Sequence, residues 1–334
     1  ITNSSYRNET LAGFSYGTHS WSLRCWDGLE NAGDSAQRNF TVVGPVSNIT
    51  INVTINTVTL AWDALSYADS YNIYISDDYP AGFGEVPDVS GLTVPVWSDN
   101  NPESSAAKFY RVETVRGSAK NPSADVFGKY SYELDFDSNA TDWSLVSIPL
   151  TIPSWSLNNA TNDGFDPFVN PSECVTAIWR YDEQTGWQKN EMIGGNWVPA
   201  AGDEDFTELE PGRGYWFETT EQCTLTFVGK VPGGNVSVSL KEGWNIVGWN
   251  SPVPVALTTG GEPPYYPITV SPANSVSMIN RYRTTPGRFE VTMHHVGWGW
   301  WPSWNNQGFT MLEPMLGYYF DVSQDSAWDY NPNT

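Results

Sequence analysis

The sequence predicts an all-β protein, built as tandem β-sandwich or β-barrel-like modules in series, with two homologous modules at the carboxy-terminal end. Three observations carry this. Helical periodicity is almost absent over 334 residues, while 29 glycines and 23 prolines are spread along the whole length. The apolar runs are short, β-branched or aromatic, and often alternating, as in Val58-Thr59-Leu60-Ala61-Trp62, Tyr71-Asn72-Ile73-Tyr74-Ile75 and Leu145-Val146-Ser147-Ile148. Runs of this kind between turn-forming residues are strands of sandwiches or barrels. The third observation is that the chain repeats itself.

The segment Thr207-Glu208-Leu209-Glu210-Pro211-Gly212-Arg213-Gly214-Tyr215-Trp216-Phe217-Glu218 has a partner at Thr310-Met311-Leu312-Glu313-Pro314-Met315-Leu316-Gly317-Tyr318-Tyr319-Phe320-Asp321. Trp143 matches Trp244 and Tyr181 matches Tyr282 at 101 residues. Phe206 matches Phe309, and Trp197-Val198-Pro199 matches Trp300-Trp301-Pro302, at 103. A nearly constant offset over separate landmarks means two homologous modules, which the sequence divides as 131–232 and 233–334. Each opens on a Trp-led strand, passes through a central strand (Ala177 to Tyr181, Met278 to Tyr282) and a tryptophan-bearing excursion, and closes on a Gly-Tyr-aromatic-Phe strand. The glycine of that strand is expected to supply either positive φ or close backbone approach. The aromatics are expected to carry much of the burial.

Upstream, two further units are expected. Residues 45–130 resemble a fibronectin type III domain. The resemblance rests on Val58-Thr59-Leu60-Ala61-Trp62-Asp63 as a second strand with its core tryptophan, Ala68 to Ile75 as the third, and Lys108 to Val115 as the sixth. The usual Leu-Lys-Pro approach to the sixth strand is missing, and the middle loop is long. Residues 1–44 resemble the last strands of an immunoglobulin-like surface domain, through Gly17 to Cys25, the turn Asp27 to Gly33, and Arg38 to Val42. Such a sandwich needs about seven strands, and about three can be drawn here. A fragment that has lost its upstream strands is the simpler reading. Completion by a strand of a neighbouring subunit is the other.

Cys174 and Cys223 fall in one module and are absent from its twin, so they are expected to form a local disulfide, leaving Cys25 over. That arithmetic suits an oxidising exterior. Eight N-glycosylation sequons (Asn3, Asn8, Asn39, Asn48, Asn52, Asn139, Asn159 and Asn235) are a mild excess over chance, and Asn39, Asn48, Asn52, Asn139 and Asn235 cluster near the module junctions. The balance of 38 Asp and Glu against 16 Lys and Arg, net −22, argues against nucleic acid and anionic lipid as partners. No apolar run is long enough to span a membrane. Ile1 opens a polar stretch rather than a signal peptide, as in a processed or truncated chain.

Catalytic constellations are not apparent, and the chain is expected to be no enzyme. Of the three histidines, His19, His294 and His295, the adjacent pair would point to opposite faces of a strand, poor geometry for one metal. No phosphate-cradling loop, nucleophile elbow or zinc-type His-Glu-X-X-His occurs. No cofactor is expected. Calcium is the one metal with candidate ligands, either at Asp203-Glu204-Asp205 or at Asp135, Asp137 and Asp142; a solvated acidic loop is the plainer account. The densest unusual segment is Val296 to Trp304. Trp300 aligns with Trp197 and is assigned to the core, which leaves Trp298, Trp301 and Trp304 as interface or glycan contacts.

Taken as a whole, the chain resembles multidomain archaeal and bacterial surface proteins that combine immunoglobulin-like, fibronectin-like and tryptophan-glycine-tyrosine modules. The resemblance implies an extracellular structural role, as subunit of a cell-surface filament, stalk or surface layer, with copies of itself as partners and covalent N-glycans. An adhesin or carbohydrate-binding protein is the alternative, with saccharide as ligand. The ancillary region of a secreted hydrolase is a second.

Overall fold

The computed structural model describes residues 12–27, 29–54, 57–79, 82–102, 105–134, 136, 141–151, 169–171, 174–202, 206, 208–257, 269–283, 288–295, 299–302 and 308–332. No α-helix occurs among them, and the protein is all-β. The first four strands are short: β1 (Gly17–Trp21), β2 (Arg24–Trp26), β3 (Ala32–Asp34) and β4 (Arg38–Val42). They form two separate antiparallel ribbons, β1 with β4 and β2 with β3. The sequence suggested about three strands here, and the turn through Asp27 makes a second ribbon. Its carboxylate accepts from the Leu29 and Asn31 amides, which holds that carboxyl below its ordinary range, with the Asn31 side chain contributing most. Trp21, Leu23, Trp26 and Leu29 are all exposed, so these ribbons bury little of their own apolar surface.

The next eight strands are β5 (Thr50–Thr54), β6 (Thr57–Ala61), β7 (Ser70–Ser76), β8 (Val89–Leu92), β9 (Val96–Asp99), β10 (Ala107–Arg116), β11 (Ala119–Pro122) and β12 (Phe127–Leu134). A three-stranded sheet, β5-β6-β9, faces a sheet in which β12, β10, β7 and β8 are neighbours. This agrees with the fibronectin type III resemblance. Alternation in β6 buries Val58 and Leu60, and Trp62 packs edge-on against Tyr71 at 5.3 Å. A polar cluster fixes one end of the sandwich. Lys108 and the Tyr110 hydroxyl both donate to Asp99, at 3.0 and 2.9 Å.

β12 runs through the boundary the sequence placed at residue 130. Its first half pairs with β10, while its whole length, Phe127 to Leu134, pairs with the last strand of the following module. One strand therefore belongs to two units, and the sheet is continuous across the junction. On the sandwich side Lys129, fully buried, donates to the carbonyls of Pro102 and Ser105 at 2.8 and 3.0 Å. A buried ammonium must find such acceptors, because leaving it unpaired would cost several kcal/mol.

The first repeat continues with β13 (Asp142–Ser147), β14 (Val169–Asn170), β15 (Val175–Asp182), β16 (Gly186–Ile193), β17 (Asn196–Pro199), β18 (Gly214–Thr219) and β19 (Cys223–Lys230). The second has β20 (Val236–Leu240), β21 (Gly243–Gly248), β22 (Val255–Ala256), β23 (Thr269–Ser271), β24 (Val276–Arg283), β25 (Arg288–His295), β26 (Gly299–Pro302), β27 (Met311–Leu312), β28 (Gly317–Val322) and β29 (Ser326–Tyr330). Their five-stranded sheets have the same order, β13-β18-β15-β16-β17 and β21-β28-β24-β25-β26. Both carry a bulge at the same place, between Val175 and Ala177 and between Val276 and Met278.

The repeated Glu-Pro motif is a turn closed by its own tyrosine. The amide of Glu210 donates to the Tyr215 hydroxyl, and that of Glu313 to Tyr318, each at 2.6 Å. Burial pushes both phenols well above their ordinary pKa. Arg180 and Arg281 lie over Phe206 and Phe309 at 4.7 and 4.6 Å and also meet Glu210 and Glu313.

The two copies join by matched contacts. Val146 bridges to Leu316, and Val247 bridges to Arg213. The Ser147 amide donates to the Met315 carbonyl, and the Gly248 amide to the Gly212 carbonyl, each at 2.9 Å. Every member of one pair lies 101 or 103 residues from its counterpart, so the junction has approximate two-fold symmetry. The motif glycines serve close approach. A Cβ on Gly214 would lie 2.8 Å from Ile246 Cγ2 and 2.9 Å from the Val247 oxygen, and one on Gly317 would lie 2.8 Å from Leu145 Cγ. Positive φ belongs to residues two positions earlier, Gly212 at 83° and Met315 at 69°. Met315 adopts that costly conformation with its side chain packed into the core of the first copy.

Candidate functional site: an aromatic cleft between the two repeats

In a strand, adjacent side chains point to opposite faces. Tyr215 and Phe217 face the core of the first copy and are buried, so Trp216 between them faces away. Leu145 and Trp179 are its cross-strand partners on that outer face, and Trp187 lies across from Tyr181. The result is a second aromatic surface on the reverse of the sheet. Trp143, Trp179, Trp187 and Trp216 form one side of a cleft of about 370 Å³. Tyr282, Phe289 and Tyr319 of the second copy form the other.

The rings are in continuous contact. Trp187 meets Trp179 at 6.5 Å, Trp179 meets Trp143 at 5.8 Å, and Trp143 meets Trp216 at 6.4 Å. Trp216 crosses to the second copy, where it meets Tyr282 edge-on at 5.0 Å and donates its indole N–H to the Tyr319 hydroxyl at 2.8 Å. Tyr282 and Tyr319 both lean on Phe289, at 5.2 and 5.6 Å. Trp187 and Phe289, on opposite walls, remain 45% and 43% exposed. Burial raises the Tyr319 pKa, against the lowering effect of the Trp216 donor, so its hydroxyl stays protonated and can donate in turn.

Beside the cleft sits one ammonium. Lys189 lies over the Trp179 ring at 4.8 Å, and its Nζ is 2.6 Å from Glu191 and 4.0 Å from Glu218. One cation against two carboxylates leaves this edge mildly negative. No group of three or more His, Cys, Asp or Glu suited to a metal ion occurs among the described residues. The described rings offer stacking, and the Tyr319 hydroxyl offers hydrogen bonding at their edge.

The sites expected from sequence lie elsewhere. Cys174 and Cys223 are joined in a disulfide with Cα atoms 6.0 Å apart, and Cys25 is free and exposed. Asn39, Asn48, Asn52 and Asn235 are exposed; the Asn48 side chain donates to Asp63 at 2.6 Å. Asn3, Asn8, Asn139 and Asn159 lie outside the described residues, as do Asp135, Asp137, Asp203, Glu204 and Asp205. Asp142 is buried at the start of β13. Trp298 and Trp304 also lie outside, and of Trp301 only the backbone in β26 is described. His19 stacks on Phe40 at 5.3 Å and approaches the Ser15 carbonyl at 2.6 Å.

Sequence reading missed the cleft because it assigned the repeated aromatics to packing. The signal was present: three consecutive aromatics, Tyr215-Trp216-Phe217 and Tyr318-Tyr319-Phe320, cannot all face one core in an extended strand.

The fold and site define a serial all-β protein with an aromatic cleft at its last junction. No protein-family model matches the chain, and no curated protein matches it. Among solved structures it is similar to the crystal structure of chicken CNTN1 FN1-FN3 domains, at 12% identity over 87% of this chain and 99% of that chain, with a TM-score of 0.20.

Proposed function

We propose that this chain is a structural extracellular protein, a subunit of a cell-surface filament, stalk or surface layer whose serial β modules are locked end to end. The observation that carries the reading is β12, which is hydrogen-bonded to the fibronectin-like sheet on one edge and to the first repeat on the other. A flexible tether between catalytic or binding domains needs no such strand, whereas a load-bearing series gains stiffness from it. The matched contacts between the two repeats support the same reading. The Cys174–Cys223 disulfide supports an oxidising exterior, and the exposed Asn39, Asn48, Asn52 and Asn235 offer room for glycans. Surface charge of net −22 keeps such an assembly solvated. Copies of the chain are its partners, and it carries no turnover of its own.

Electron microscopy of native cell-surface material, with the chain located by antibody, tests this. Regular filaments or sheets with a repeating subunit are expected. Labelled material consisting only of dispersed monomers would overturn the structural role.

A further inference from the structure

The cleft between the repeats is not required by a purely mechanical role. Close packing alone would have buried Trp187 and Phe289 against each other or replaced them with polar residues, yet both walls present open rings at a concave surface. Isolated exposed aromatics need no explanation, but a contiguous concave set, seven among the described residues, does.

The lining selects among ligands. Among the described residues it contains no charged side chain, and the chain has net charge −22, so an anionic ligand is disfavoured. Among the described residues it contains no Leu, Ile, Val or Met, the side chains that would line a groove for an aliphatic tail or an amphipathic helix. All lining residues except Trp143 lie on strands paired within their sheet on both sides. The outer edge of β13, which carries Trp143, already meets the second repeat at Val146 and Ser147, so an extended peptide finds little free backbone for strand addition there. Aromatic faces without aliphatic filler suit a ligand with polarised C–H faces, because the ring quadrupole presents negative charge above its plane. An alkylammonium head is one such ligand, but a tight cage closing on it from several sides is what gives that contact its strength. This cleft is open and, at about 370 Å³, much larger than such a head. A pyranose combines flat C–H faces with a rim of hydroxyls. The hydroxyl partners stand at the edge of the cleft: Tyr319, Tyr282, and the Lys189–Glu191 pair.

We infer that the cleft binds a short neutral oligosaccharide, with sugar faces stacked on Trp187 of the first repeat and Phe289 of the second. Binding by both walls would also tie the two repeats together, so the ligand would stiffen the junction it occupies. The structural role above does not depend on this.

The test uses the full chain in isothermal titration against neutral gluco-, manno-, galacto- and chito-oligosaccharides of six units, with tetramethylammonium chloride as the probe for a cation cage. Binding of at least one oligosaccharide is expected. Trp187→Ala and Phe289→Ala should each weaken it about tenfold or more, the loss of one stacked ring. Trp26→Ala, an exposed tryptophan on the β2–β3 ribbon, should leave it unchanged. Thermal unfolding of each variant checks folding, and because the two wall residues lie on different repeats, one variant suffices if the other fails to fold. Absence of binding to every sugar, equal binding by both wall variants, or binding of tetramethylammonium alone would overturn the inference.

Discussion

The two repeats share a framework and differ in how each is closed. The first is held from outside: β12 comes from the neighbouring sandwich, and Cys174–Cys223 crosslinks β19 to the segment before β15. In the second, the equivalent positions are Ser275 and Ser326. The local backbone is the same, since Thr220 donates to the Cys174 carbonyl as Ser323 donates to that of Ser275, at 3.1 and 2.8 Å. The second copy closes its core with larger rings instead. Trp249, Trp328 and Tyr330 stack together at 4.5 to 6.0 Å where the first copy has Ile148, Leu225 and Phe227. One framework can thus be secured by a covalent link and a shared sheet, or by aromatic volume, at matching places.

If that equivalence holds, crosslinks should be transferable. Replacing both cysteines, Cys174→Ser with Cys223→Ser, should cost about 4 kcal/mol for a closed loop of this length. Urea unfolding of the full chain would show it as a lowered midpoint for the first repeat. The reciprocal pair, Ser275→Cys with Ser326→Cys, should raise the midpoint of the second, all the more because the Ser326 hydroxyl is buried with no hydrogen-bond partner among the described residues. Failure of the engineered pair to oxidise would break the comparison.

A smaller effect, about 2–3 kcal/mol, is expected from adding one methyl at the junction. A Cβ on Gly248 would overlap the Arg213 carbonyl and the Ser147 side chain, and neither can yield without moving a strand. Gly248→Ala and Gly317→Ala should destabilise both repeats together. Gly33→Ala, whose Cβ would meet nothing, should stay within about 0.5 kcal/mol. Thermal unfolding distinguishes the two outcomes.

The smallest effects are pH-dependent, and they separate the sandwich from the repeats. The phenols of Tyr215 and Tyr318 are raised by burial, so their contribution is present below the ordinary value of 10.0 and fades as pH rises above it. For Asp99, burial alone would raise the carboxyl, but the Asn101 amide, Lys108 and Tyr110 outweigh it and hold it low. Its contribution is present above about 3.8 and is lost as pH falls through the lower folded value. Tyr318→Phe should flatten the alkaline limb of a stability–pH curve, and Asp99→Asn the acid limb, each leaving the other limb in place.

Much of this was legible in the sequence. Short alternating runs around Trp62 and Tyr71 gave the sandwich, because a core tryptophan on a strand leaves a period-two signature. The constant offset gave the twin sheets. What stayed hidden depended on pairing between distant segments. Nothing local in Phe127 to Leu134 says that both edges of the strand are used, since a strand paired on one side and one paired on two can read alike. Gly214 and Gly317 were visible as repeated glycines, but the atoms that require them, Ile246 and Leu145, come from the opposite copy. The cleft was hidden for the same reason, its walls being about 100 residues apart in the chain.

Amide hydrogen exchange along β12 tests the central claim most directly. A strand that joins two modules in one continuous sheet should exchange with the slowest amides of the molecule. Residues 127–134 are therefore predicted to match β19 in protection, together with the junction amides of Ser147 and Gly248. Exchange of 127–134 at the rate of exposed turns, with β19 still protected, would show a linker between independent domains and contradict the account.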